Sequence, residues 1–92
     1  MMILSLSLRR RLVHEMERAA GSLASLAFYD GVMPATCDAA ADGARIQAEP
    51  LPAQFFDHVS YGEEPALPQG ARYWRVLSNE GVVVLQGDNA ES

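Results

Sequence analysis

The tightest constraint on the fold lies near the C-terminal end, where Tyr73-Trp74-Arg75-Val76-Leu77 and Val82-Val83-Val84-Leu85 flank Ser78-Asn79-Glu80-Gly81. In the first run Trp74 and Val76 fall on one face and Tyr73, Arg75 and Leu77 on the other, the period-two alternation of a strand. The second run is strongly β-prone. Gly81 supplies the positive φ that closes a short loop through a G1-type bulge. Together these features predict a β-hairpin over 71–87. Trp74 is then read as the main core residue, with a binding hot spot formed with Arg75 as the alternative.

The chain has 92 residues, enough for one domain that buries a modest share of its surface. Apolar residues make up 49% and charged residues 21%, which is too hydrophobic for a wholly disordered chain. Cys37 is the only cysteine, so neither an intrachain disulfide nor a cysteine-based zinc site can supply stability. The core has to come from packing, completed by neighbouring chains where the domain falls short.

Charge is divided along the chain. Through Ala27, four arginines against two glutamates leave +2; from Phe28 onward, three arginines against ten carboxylates leave −7. A basic N-terminal segment on an acidic body favours contact between copies, or docking on an acidic neighbour. It disfavours nucleic acid, because phosphates repel the body and the basic cluster is short. The apolar start, Met1-Met2-Ile3-Leu4, precedes its arginines, the reverse of a secretory signal. The uncharged stretch from Ala19 to Tyr29 is shorter than the ~20 residues that span a bilayer, so the chain is expected to be soluble, with no membrane partner.

From Leu8, apolar residues at Leu8, Leu12, Met16, Ala19 and Leu23 recur at steps of three or four, predicting a helix over about 7–20 with these residues inward and Arg9, Arg10, Glu17 and Arg18 largely off that face. Either Ser5 or Ser7 can cap it, and Gly21 suits a left-handed C-terminal stop. Propensity alone would also let the helix run through Leu26; Phe28-Tyr29 beside Asp30-Gly31 favours a strand over 23–29 instead. A turn follows at Asp30-Gly31, with positive φ expected at Gly31. Thr36 and Asp38 are both good caps for a short helical turn at 39–41. A second strand is expected over 44–49, closed by Pro50 and Pro52. Of Phe55 and Phe56, one anchors the core and the other lies at a contact surface, and 57–70 reads as an exposed acidic loop. The whole is an α+β domain: an N-terminal arm and amphipathic helix over 1–22, then a small antiparallel sheet or partial sandwich over 23–92 ending in the hairpin.

Phe28-Tyr29-Asp30-Gly31, Pro34-Ala35-Thr36, Asp38-Ala39-Ala40 and Asp42-Gly43, followed by Tyr73-Trp74-Arg75-Val76, Gly81, Val83-Val84 and Gly87, resemble a family of small virion structural proteins of tailed bacteriophages. The resemblance covers roughly 23–50 and 71–88. It implies a multi-copy minor or decoration component of the head or head–tail region, located in the virion and made in the bacterial cytoplasm, whose partners are copies of itself and other virion proteins. The alternative is a small prophage-encoded adaptor that acts on a host protein.

Catalytic constellations are hard to find. His14 and His58 lie far apart, each beside a carboxylate that a helix would point elsewhere, and Glu63-Glu64 is a solvated pair in a loop. Cys37 has no histidine near it in sequence and reads as a small filler. No catalytic residue, metal or cofactor is expected, and the chain is read as a non-enzyme. The expected protein interface is the apolar arm, Met1, Met2, Ile3, Leu4, Leu6 and Leu8, together with Phe55.

Overall fold

A computed structural model of the chain describes residues 3–89. Helix α1 spans Leu6–Ala20. Ser5 caps it, its Oγ accepting the Leu8 N–H at 3.2 Å, which satisfies one of the unpaired donors of the first turn. Gly21 ends it with φ 82° and ψ 175°, and its N–H donates to the Glu17 carbonyl. The φ is positive as expected, though ψ lies outside the left-handed helical region.

Strands β1 (Ser25–Tyr29), β2 (Arg45–Pro50), β3 (Tyr73–Leu77) and β4 (Val83–Gly87) form one sheet in the order β2-β1-β3-β4. Every neighbouring pair is antiparallel. The α+β arrangement is as expected, and it is built on a single sheet. The strand at β1 excludes the longer helix through Leu26. The hairpin β3–β4 falls within the expected range: Ser78 donates to the Val82 carbonyl at 2.8 Å, and Gly81 has φ 80°. Each margin of the sheet carries a bulge. Register slips between Phe28 and Tyr29 opposite β2, leaving Ile46 as the extra residue. It slips again between Val76 and Leu77 opposite β4, where Val84 is extra.

One sheet face carries Leu26, Phe28, Trp74 and Val76, all buried, and packs against α1 and the short helix α2 (Phe55–Ser60). Phe55 meets Trp74 edge-to-face at 5.5 Å and meets Phe56 in the same way at 5.6 Å. Both phenylalanines are therefore core, which corrects the expectation that one of them, Phe55 in the proposed interface, lies at a contact surface. The reason is local: Phe55, Phe56 and Val59 share the inner side of a helical turn. That turn also replaces the beginning of the loop expected over 57–70. The alanines at 39–41 form no helix; turns and bends occupy this stretch.

Of the residues expected on the inward face of α1, only Met16 packs against the core. Val13 and Ala20 are buried with Met16 packed beside them, whereas Leu8 and Leu12 remain 45% and 43% exposed and Leu23, beyond the helix, 79%. Two lines of residues one position apart carry the same spacing, and a one-residue shift rotates the helix by about 100°. The choice is made at the helix ends. Asn79 in the hairpin loop donates its N–H to the Ala20 carbonyl at 3.0 Å, and its Oδ1 accepts the Leu23 N–H at 2.6 Å. Arg9 also turns inward, stacking over Tyr61 at 4.2 Å and reaching the Ser60 carbonyl at 3.4 Å.

Candidate functional site

The second sheet face is covered by the loop of residues 30–44. Its floor is Ala27, Tyr29, Tyr73 and Arg75, with Met33 and Leu77 packed at the border. Tyr29 and Tyr73 stack at 5.1 Å. The Tyr73 hydroxyl donates to the Asp42 carbonyl at 2.8 Å and accepts the Asp42 N–H at 2.9 Å. Burial pushes the Tyr73 phenol up from its ordinary value; the hydrogen bond to the Asp42 backbone and the nearby Arg75 charge oppose that shift.

Arg75 is 2% exposed. Its Nε donates to Gln86 Oε1 at 2.9 Å and one Nη donates to the Thr36 carbonyl at 3.4 Å, while Gln86 Nε2 donates to the Pro34 carbonyl at 2.8 Å. The two segments noted in the sequence, Pro34-Ala35-Thr36 and the terminal hairpin, are thus one unit: two hairpin side chains hold two loop carbonyls. A buried guanidinium needs its donors satisfied, and these contacts supply acceptors.

The loop ends are tied as well. Asp30 Oδ1 accepts the Ala44 N–H at 2.7 Å, and Asp42 Oδ2 accepts the Val32 N–H at 2.8 Å. Gly31 and Gly43 pack against each other there, so that a Cβ on Gly31 would collide with the Asp42 backbone. Gly31 does not have the positive φ expected of it; Gly43 does, at 82°. Gly31 is required for closeness of approach, not for backbone conformation. The sequence signal for this clasp, overlooked when the chain is read locally, is the repeated Asp-Gly at 30–31 and 42–43.

The expected chemistry-bearing residues are dispersed. His58 Nδ1 lies 3.1 Å from Glu63 Oε2 with both side chains exposed. Glu64 points elsewhere, its Oε1 accepting from Trp74 Nε1 at 3.0 Å and from the Asn89 N–H at 3.0 Å. Neighbouring carboxylates with separate partners do not form an acid–base couple. His14 is exposed on α1 and Cys37 is half-buried in the covering loop. Among the described residues, no three His, Cys, Asp or Glu gather to hold a metal ion, and no helix is long and apolar enough to cross a membrane.

Among the described residues, accessible apolar side chains lie along the arm and α1 and also, singly, at Leu23, Val32, Ile46, Tyr61 and Val82. Met1 and Met2 fall outside the described residues. Ile3 is 83% exposed, Leu6 and Leu8 are exposed, and Leu4 is half-buried. Ile3 and Leu4 border a groove of about 450 Å³ with Arg9, Val59 and Tyr61. A larger groove, about 720 Å³, opens at the other end of α1 between Leu23 and the Pro50–Phe56 turn. Trp74, with no exposure at all, is a core residue and offers no binding surface. No family model, curated protein or solved structure matches the chain.

Proposed function

We propose that the chain is a non-catalytic assembly component used in many copies, set in the virion of a tailed bacteriophage at the head or head–tail region. The observation that carries this reading is the run of exposed apolar residues Ile3, Leu6, Leu8 and Leu12 along one arm and helix. Exposed apolar residues grouped on one element mark a contact site. The virion setting rests on the resemblance of the two motif segments, and their joining through Arg75 and Gln86 supports treating them as a single unit.

The test is the protein content of purified particles. A virion component is present at fixed stoichiometry, and deletion of residues 1–7 removes it from the particle. Particles without the protein, with the chain recovered on a host protein instead, would establish the adaptor reading in its place. At about 25 cal/mol per Å² of apolar surface, burying several arm side chains contributes several kcal/mol to association, so the deletion should have a large effect.

A further inference from the structure

We infer that the loop of residues 30–44 is a strap that opens as one cooperative unit, uncovering Tyr29, Tyr73 and Arg75 while the helix–sheet core on the other face stays folded. The two faces of the sheet carry separate apolar clusters: Leu26, Phe28, Trp74 and Val76 face the helices, whereas Ala27, Tyr29 and Tyr73 lie under the strap. The strap lends no strand to the sheet, so β1, β3 and β4 keep their pairing when it lifts.

Burial across this contact is one-sided. Beneath the strap Ala27 and Tyr73 have no exposure, yet no strap residue is itself buried: Gly31, Met33, Pro34 and Cys37 are half-buried and the rest of the segment is exposed. The strap is therefore held chiefly by hydrogen bonds, from Tyr73 to both backbone groups of Asp42, from Gln86 to Pro34 and from Arg75 to Thr36. Few buried apolar contacts and many exposed bonds are the marks of a segment that opens at a lower free energy than the whole domain. The guanidinium of Arg75 lowers that energy further, because its acceptors, Gln86 Oε1 and the Thr36 carbonyl, are neutral, and the water admitted on opening solvates its charge.

The attachments are linked to one another. Tyr73 and Arg75 sit two residues apart on the same side of β3, with the guanidinium 5.9 Å from the Tyr73 ring centroid, so water that reaches one reaches the other. At the base, Asp30 and Asp42 hold the flanks of each other's turn, and Asp42 is held in turn by the Tyr73 hydroxyl. Loss of the contacts at Pro34 and Thr36 therefore loosens the clasp as well.

The inference goes beyond the assembly role and does not rest on it, and the isolated protein tests it by native-state hydrogen exchange. The amides of Val32, Asp42 and Ala44, which donate to Asp42, Tyr73 and Asp30, should exchange with one common opening constant, at least about tenfold larger than that of the amides shared by β1 and β3. Gln86→Leu, which removes the bonds to Pro34 and Arg75 and touches none of the three amides, should raise that constant at all of them by the same factor, about threefold or more. Phe55→Leu, on the opposite sheet face, should speed exchange of the β1–β3 amides by about tenfold and leave the three strap amides unchanged. Three unrelated constants would overturn the inference, as would strap amides indifferent to Gln86→Leu or strap exchange that rises with Phe55→Leu as the core does.

Discussion

Asp30 and Asp42 each hold the backbone N–H two residues beyond the other, at 2.7 Å to Ala44 and 2.8 Å to Val32. The exchange closes the loop of residues 30–44 with two charge-assisted hydrogen bonds and leaves Gly31 and Gly43 in contact between them. Both bonds are exposed, so each contributes less than a buried bond to an ionised group and about as much as an ordinary hydrogen bond. Asp30→Ala and Asp42→Ala are each expected to lower stability by about 1 kcal/mol in urea denaturation. The double variant should lose less than the sum, because breaking one tie loosens the other.

Gly31→Ala and Gly31→Val should both cost about 2–3 kcal/mol, since any Cβ meets the Asp42 backbone. Gly62→Ala, where a Cβ meets nothing within 4 Å despite a φ of 86°, isolates the conformational cost and should lose only about 1 kcal/mol. Equal losses at the two positions would contradict the close-packing explanation.

Trp74→Ala should destabilise by about 3–5 kcal/mol, because Trp74 lies fully buried against Phe55 at the centre of the core. In a domain of this size that is most of the available margin. Thermal unfolding followed by circular dichroism measures it, and a loss below about 1 kcal/mol would be incompatible with the packing described.

Alkaline conditions should weaken the fold through Tyr73. Burial raises its folded-state pKa above the ordinary value near 10.0, so the native state retains the proton that the unfolded chain releases. Its contribution is fully present below pH 10 and is lost as pH rises from there through the folded value, at a limiting slope of about 1.4 kcal/mol per pH unit. Tyr73→Phe should start lower at neutral pH, having lost both bonds to Asp42, and decline less steeply above pH 10. Parallel stability curves for the two proteins would disprove the coupling.

What the sequence disclosed follows from how local each signal is. The hairpin at 71–87 could be read because alternation, β-branching and Gly81 all act within a few residues. The stop at Gly21 was equally visible. The inward face of α1 was legible only at Met16, because Leu8–Leu12–Met16–Ala19 and Val13–Met16–Ala20 both satisfy helical spacing, and the choice between them is tied to Asn79, nearly sixty residues from Ala20. The clamp of Thr36 and Pro34 by Arg75 and Gln86 was hidden for the same reason. The two segments were recognisable separately, while the contact joining them depends on strand register. At Phe55 and Phe56 the surrounding Gly, Pro and Glu suggested loop, and a single turn of helix was enough to bury both rings.

The bulges at Ile46 and Val84 have a consequence for crowded settings. A flat sheet margin exposes a regular row of donors and acceptors that recruits further strands. Here both margins are kinked, β2 ends in Pro50, which has no N–H, and its exposed side chains include Arg45. An approaching strand therefore meets an irregular edge, which disfavours fusion of sheets into a cross-β fibre.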